Sequence, residues 1–151
     1  SPTATPIDGW IKVWAGGEHS CGILWNASLL CWGNGTSGQI GRGDTVTQLS
    51  PAYVDFDFGY REVGGGAFHT CAIRGDYTMA CWGRNAHGEL GDGTTTNRLS
   101  GVVVPGTWQA VSGGSAEHTC GVAKSDRTLW CWGNNIRYGS SRVDAPLSAR
   151  T

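Results

Sequence analysis

His19, Cys21 and Cys31 lie in "GGEHSCGILWNASLLCWGNG", two thiols ten positions apart with an imidazole two residues before the first. Residues of these types support three chemistries. A thiolate beside a histidine base is a nucleophile. Thiolates and imidazole together hold zinc. Two thiols close a disulfide. The phrase returns as "GGAFHTCAIRGDYTMACWGRN", with His69, Cys71 and Cys81, and as "GSAEHTCGVAKSDRTLWCWGNN", with His118, Cys120 and Cys131. Triplication argues against catalysis, because an enzyme rarely needs its nucleophile three times. No acid–base pair, nucleophile elbow or phosphate loop accompanies the thiols, and the chain is read as a non-enzyme without cofactors. His-x-Cys plus one more Cys is one ligand short of a closed tetrahedral zinc site, and no C-x-x-C pair supplies the rest. We therefore read three disulfides, Cys21–Cys31, Cys71–Cys81 and Cys120–Cys131, formed in an oxidising compartment. The histidines are expected to bond backbone in the turn before each strand. His87 falls outside the pattern and is expected to face solvent.

The elements that must position these groups repeat with them. The first cysteines are spaced by 50 and 49 residues, the second by 50 and 50. A period near 50 marks stacked units, none of which can bury its apolar face alone. Val13, Val63 and Val111 open the copies, and "GTSGQIGRGD" in the first matches "NAHGELGDGT" in the second. The third copy departs at "NNIRYGSSRVD". Within a unit, "EHSCGIL" and "SLLCWG" are apolar, branched and aromatic, which favours strands. Pairing Cys21 with Cys31 and counting inward leaves the loop Trp25-Asn26-Ala27. The second unit leaves Gly75-Asp76-Tyr77, and the third leaves the four residues Lys124 to Arg127. Both lengths suit hairpins. Side chains alternate along a strand, so His19 and Cys21 share one face while Trp32 points to the other. One face is expected to carry sulfur and the other to pack a neighbouring unit through tryptophan.

Composition narrows the class. Net charge is −1, with 11 basic and 12 acidic residues spread along 151 positions. No basic stripe exists to neutralise phosphates, so nucleic-acid binding is not expected. The longest apolar runs are a few residues, as in "GVVVPG", too short to insert in a membrane as a helix. Two sequons, Asn26-Ala27-Ser28 and Asn34-Gly35-Thr36, fall in expected loops. They are glycan acceptors only in a secreted eukaryotic protein. "RGD" at Arg42–Asp44 is matched by "GDG" at Gly91–Gly93, and we read it as a repeat turn. The chain divides into a flexible leader over 1–9 and three units over about 10–59, 60–107 and 108–151.

The phrases "HSCGI…LLCWGNGTSGQIGRGD" and "HTCAI…MACWGRNAHGELGDGT" resemble the regulator-of-chromosome-condensation repeat family, in its secreted, cysteine-bearing type. The resemblance implies an all-β fold: propeller blades of four antiparallel strands, commonly seven to a ring. Three units do not close a ring on their own, which leaves apolar faces and strand edges to cover. Two functions follow as expectations. One is an extracellular structural or assembly module, joined to other copies or adjoining repeats in a cell-surface coat or fibre. The other is a ligand-binding ectodomain or secreted inhibitor. It would use one rim, with the loops at Asn34, Arg84 and Asn134 and the run "DFDFGY" (Phe56, Phe58, Tyr60) as candidates. The leader and the tail "SRVDAPLSART" are candidate strands for a neighbour.

Overall fold

A computed structural model describes residues 7–54, 59–114 and 116–134. The leader up to Pro6, Phe56, Phe58 and the tail after Asn134 lie outside the described residues.

The first sheet is a meander of β1 (Trp10–Ala15), β2 (His19–Leu24), β3 (Leu29–Gly33) and β4 (Gln48–Tyr53). The second repeats it with β5 (Tyr60–Gly65), β6 (His69–Arg74), β7 (Met79–Gly83) and β8 (Arg98–Val104). The third comprises β9 (Trp108–Ser112), β10 (His118–Ala123) and β11 (Leu129–Gly133) among the described residues. All pairings are antiparallel, as expected for four-stranded blades.

The central hairpins have the register that the cysteine spacing demands. Cys21 faces Cys31, Gly22 faces Leu30 and Ile23 faces Leu29, while the Leu24 N–H donates to the Ser28 carbonyl. Counting back from that bonded 24/28 pair makes 21/31 a non-hydrogen-bonded pair, the close kind. The Cα atoms of the cysteines are 4.1 Å apart in all three blades, and each pair of Sγ atoms is bonded. The hairpin tips end on a residue with positive φ: Ala27 at 67°, Tyr77 at 69° and Arg127 at 61°. In the first two blades this is a type I turn closed by a left-handed residue, the usual three-residue hairpin.

The core lies between sheets. In blade one, Cys21, Ile23, Leu29 and Cys31 form the trailing face. They pack with Ile40 against Tyr60, Val63, Ala72, Ala80 and Trp82, the leading face of blade two. The trailing face of blade two, with Cys71, Ile73, Met79 and Cys81, packs likewise on Trp108 and Trp132 of blade three. Sulfur and tryptophan do occupy opposite faces, and the two kinds of face meet: the first disulfide is buried against Trp82 and the second against Trp108 and Trp132.

Candidate functional site at the joints between blades

At each joint one buried histidine reaches across. His19 Nε2 lies 2.8 Å from Thr70 Oγ1, and Thr70 Oγ1 donates to the Gln39 carbonyl at 2.8 Å. The same carbonyl accepts from Trp82 Nε1 at 3.0 Å. One joint later, His69 Nε2 lies 2.7 Å from Thr119 Oγ1, which donates to the Glu89 carbonyl, and Trp132 Nε1 donates there too. A hydroxyl has one proton. Thr70 and Thr119 give theirs to carbonyls, so each must accept from the imidazole, and each histidine is the neutral Nε2–H tautomer. Burial enforces that neutrality. It pushes the His19 pKa down to about 4. Burial, then the charges of His19 and His118, push that of His69 down to about 3. The expected histidine–backbone bond is thus replaced by a histidine–hydroxyl–carbonyl relay between blades. The reason is reach: the imidazole shares the cysteine's face, packs over the glycine of its own turn, and extends Nε2 to the next sheet.

Close backbone approach makes the relay fit. A Cβ on Gly66 would stand 2.2 Å from the Ala116 carbonyl oxygen, and one on Gly16 would stand 2.6 Å from that of Gly66. The Ala67 N–H donates to Ala116 O at the second joint. At the hairpin tips, the Tyr60 and Trp108 N–H groups donate to the carbonyls of Ala27 and Tyr77.

The rim above these joints carries the loops that follow each Trp-Gly. Asn34 Nδ2 donates to Glu18 Oε2 at 2.7 Å. Arg84 Nη1 pairs with Glu117 Oε1 at 3.0 Å, and Asn134 Nδ2 donates to Glu117 Oε2 at 3.1 Å. His87 is half-buried with Nδ1 enclosed, 3.6 Å from both Glu89 Oε1 and Glu117 Oε2. The expectation that it faces solvent is corrected: Glu89, buried, draws its loop inward by accepting the His87 N–H. Tyr60 is buried in the first joint and unavailable to a rim ligand. The Arg42–Asp44 turn has the glycine geometry of its counterpart, with φ of 80° at Gly43 and 82° at Gly93. Asn26 is exposed at the first hairpin tip, where its Oδ1 accepts from the Ser28 N–H. No group of three or more His, Cys, Asp or Glu among the described residues has the geometry to hold a metal ion. No described helix is long and apolar enough to cross a membrane.

Residues 26–73, which span the first joint, match the regulator of chromosome condensation (RCC1) repeat model. The match covers about a third of the chain and spans parts of two sheets. The chain superposes on human WBSCR16 with a TM-score of 0.76 at 19% identity, covering 86% of this chain and 34% of that one. Prp20p from Saccharomyces cerevisiae, a structure described together with its binding to Gsp1p and histones, gives 0.73 at 18%, covering 85% and 34%. The ectodomain of the Physcomitrella patens receptor kinase CR4 gives 0.57 at 18%, covering 88% and 33%. At these identities the likeness is one of fold. The chain spans about a third of the length of each solved structure.

What the sequence reading missed is the hydroxyl. "HSC", "HTC" and "HTC" put Ser20, Thr70 and Thr119 directly after the histidines, on the opposite face, and that repetition was the available signal. The His87–Glu89–Glu117 cluster had none, because it joins residues 30 apart across a joint.

Proposed function

We propose that this chain is an extracellular assembly module: a disulfide-stapled propeller segment, with each sheet and its following loop as one repeat, that joins other copies or domains in a cell-surface coat or fibre. A stable protein-interaction module is the coarse reading that the stapled RCC1-type fold supports. One observation carries the finer one. The faces that are buried inside the stack are open at its ends. Val13 is 73% exposed, where its counterpart Val63 is 6% exposed, and Leu129 is 54% exposed, where Met79 is fully buried. Apolar surface of this kind is characteristic of a contact with another protein.

Three disulfides in three sheets fit an oxidising, extracellular setting. In that setting Asn26 is the better glycan acceptor, since it is exposed at a tip. Asn34 is half-buried with Nδ2 engaged by Glu18. Light scattering on a size-exclusion column is expected to show concentration-dependent association. Intact mass before and after reduction and deglycosylation counts bridges and sugars. A strict monomer at all accessible concentrations sinks the assembly reading.

A second reading, a ligand-binding ectodomain or inhibitor, rests on the polar rim of Glu18, Asn34, Arg84, Glu117 and Asn134. Those side chains are already paired with one another, which favours a role in holding the joints.

A further inference from the structure

The two open faces differ, and each repeats one half of a joint that the molecule already contains. The leading face of blade one presents Trp10, Val13 and Trp32, the positions filled in blade two by Tyr60, Val63 and Trp82. Trp10 and Trp32 pack on each other at 5.7 Å and are half-buried, whereas Trp82 is fully buried. The trailing face of blade three presents the Cys120–Cys131 disulfide, Val122 and Leu129. Their counterparts Cys71, Cys81, Ile73 and Met79 are fully buried.

The polar half of the joint is divided in the same way. His118 stands where His19 and His69 stand, on the trailing face, and its side chain makes no hydrogen bond to a described residue. Ser20 stands where Thr70 and Thr119 accept a histidine, on the leading face. Its hydroxyl likewise makes no hydrogen bond to a described residue. Among the described residues, one end of the stack therefore holds an imidazole without an acceptor and the other a hydroxyl without a donor, each set in a matching apolar field.

We propose that a second copy of this chain docks head to tail, the trailing face of blade three on the leading face of blade one. In that joint His118 of one copy donates its Nε2–H to Ser20 Oγ of the next, while Leu129 and the Cys120–Cys131 disulfide pack on Val13, Trp10 and Trp32. This rests on the assembly reading above and adds direction and register to it. The contact is heterologous, so copies either close into a ring or extend as a filament. It continues the two joints inside the chain, which is why a second copy is chosen over an unrelated partner.

Direction is tested by complementation. Val13 and Leu129 are exposed, so Val13→Glu and Leu129→Glu are expected to fold normally, checked by circular dichroism and by intact-mass counting of the bridges. Each variant alone has a spoiled face in every joint and should sediment as a monomer. Mixed, the intact trailing face of V13E meets the intact leading face of L129E, giving a 1:1 dimer that grows no further. Ser20→Ala, which leaves the imidazole donor without its acceptor, should weaken association about five- to tenfold, whereas Ser20→Thr should not. A wild-type chain that associates while the mixture stays monomeric overturns the head-to-tail joint and leaves the assembly reading standing. An associating chain indifferent to both glutamates does the same. Equal dissociation constants for Ser20→Ala and wild type overturn the His118–Ser20 bond. A wild type monomeric throughout removes both proposals.

Discussion

A buried imidazole works at each joint only while neutral. His19 titrates at about 4 and His69 at about 3 in the folded chain, because burial penalises the charged ring, against 6.5 for an ordinary histidine. Between those values the unfolded chain binds protons that the folded chain refuses. The stability contributed by the neutral rings is therefore fully present above pH 6.5. It is lost as pH falls from 6.5 towards 4 for His19 and towards 3 for His69. From pH 7.5 to pH 5 the loss is on the order of 2 kcal/mol per histidine. Urea midpoints followed by tryptophan fluorescence should drop accordingly. His19→Gln, which can still donate to Thr70 but does not titrate, should show a shallower slope. Equal midpoints at the two pH values would contradict the buried neutral assignment. The sequence made the histidines visible through their period. Their partner was hidden because a hydroxyl on the next sheet leaves no mark in the spacing of one unit.

Hairpin register was the most legible feature at the level of elements. Two cysteines ten apart, with strand-like runs between, fix a three-residue loop, and the structure has that loop with its cross-strand disulfide. What the pattern did not display is the left-handed backbone at the last loop position. Ala27, Tyr77 and Arg127 hold it without being glycine. A non-glycine residue there costs roughly 1–2 kcal/mol, while glycine's extra unfolded-state freedom costs about 0.5–1 kcal/mol. The first effect is larger, so Ala27→Gly should stabilise the chain by up to about 1 kcal/mol, seen as a higher thermal midpoint. Tyr77 is a poorer choice, because Arg61 and Lys124 stack on its ring at 4.4 Å and 3.7 Å. A lower midpoint for Ala27→Gly would show that the Ala27 methyl packs more than it strains. Gly41 is the opposite case. Its φ is +77° and a Cβ would stand 2.6 Å from the Trp82 indole nitrogen, so turn geometry and joint packing both exclude a side chain.

The whole chain is a short one-dimensional stack, and in such stacks stability is approximately the sum of unit and nearest-neighbour terms. Blade two has both faces covered, while blades one and three each have one face open. The period of 50 residues made the stack legible, and three such units are too few to close a ring by themselves. Which faces are open, and that they are unlike, needed the alternation of strands resolved in three dimensions. Amide hydrogen exchange should reveal the asymmetry. In dilute protein, protection should be highest in β6 and β7 and lowest in β1 and β11, because local opening costs least where a sheet has one neighbour. Raising the concentration until copies join should slow exchange in β1, β2, β10 and β11 and leave β6 and β7 unchanged, since their environment already has both neighbours. Uniform protection across the three sheets at every concentration would mean that the blades open together, and that the end faces carry no energetic signature of a missing joint.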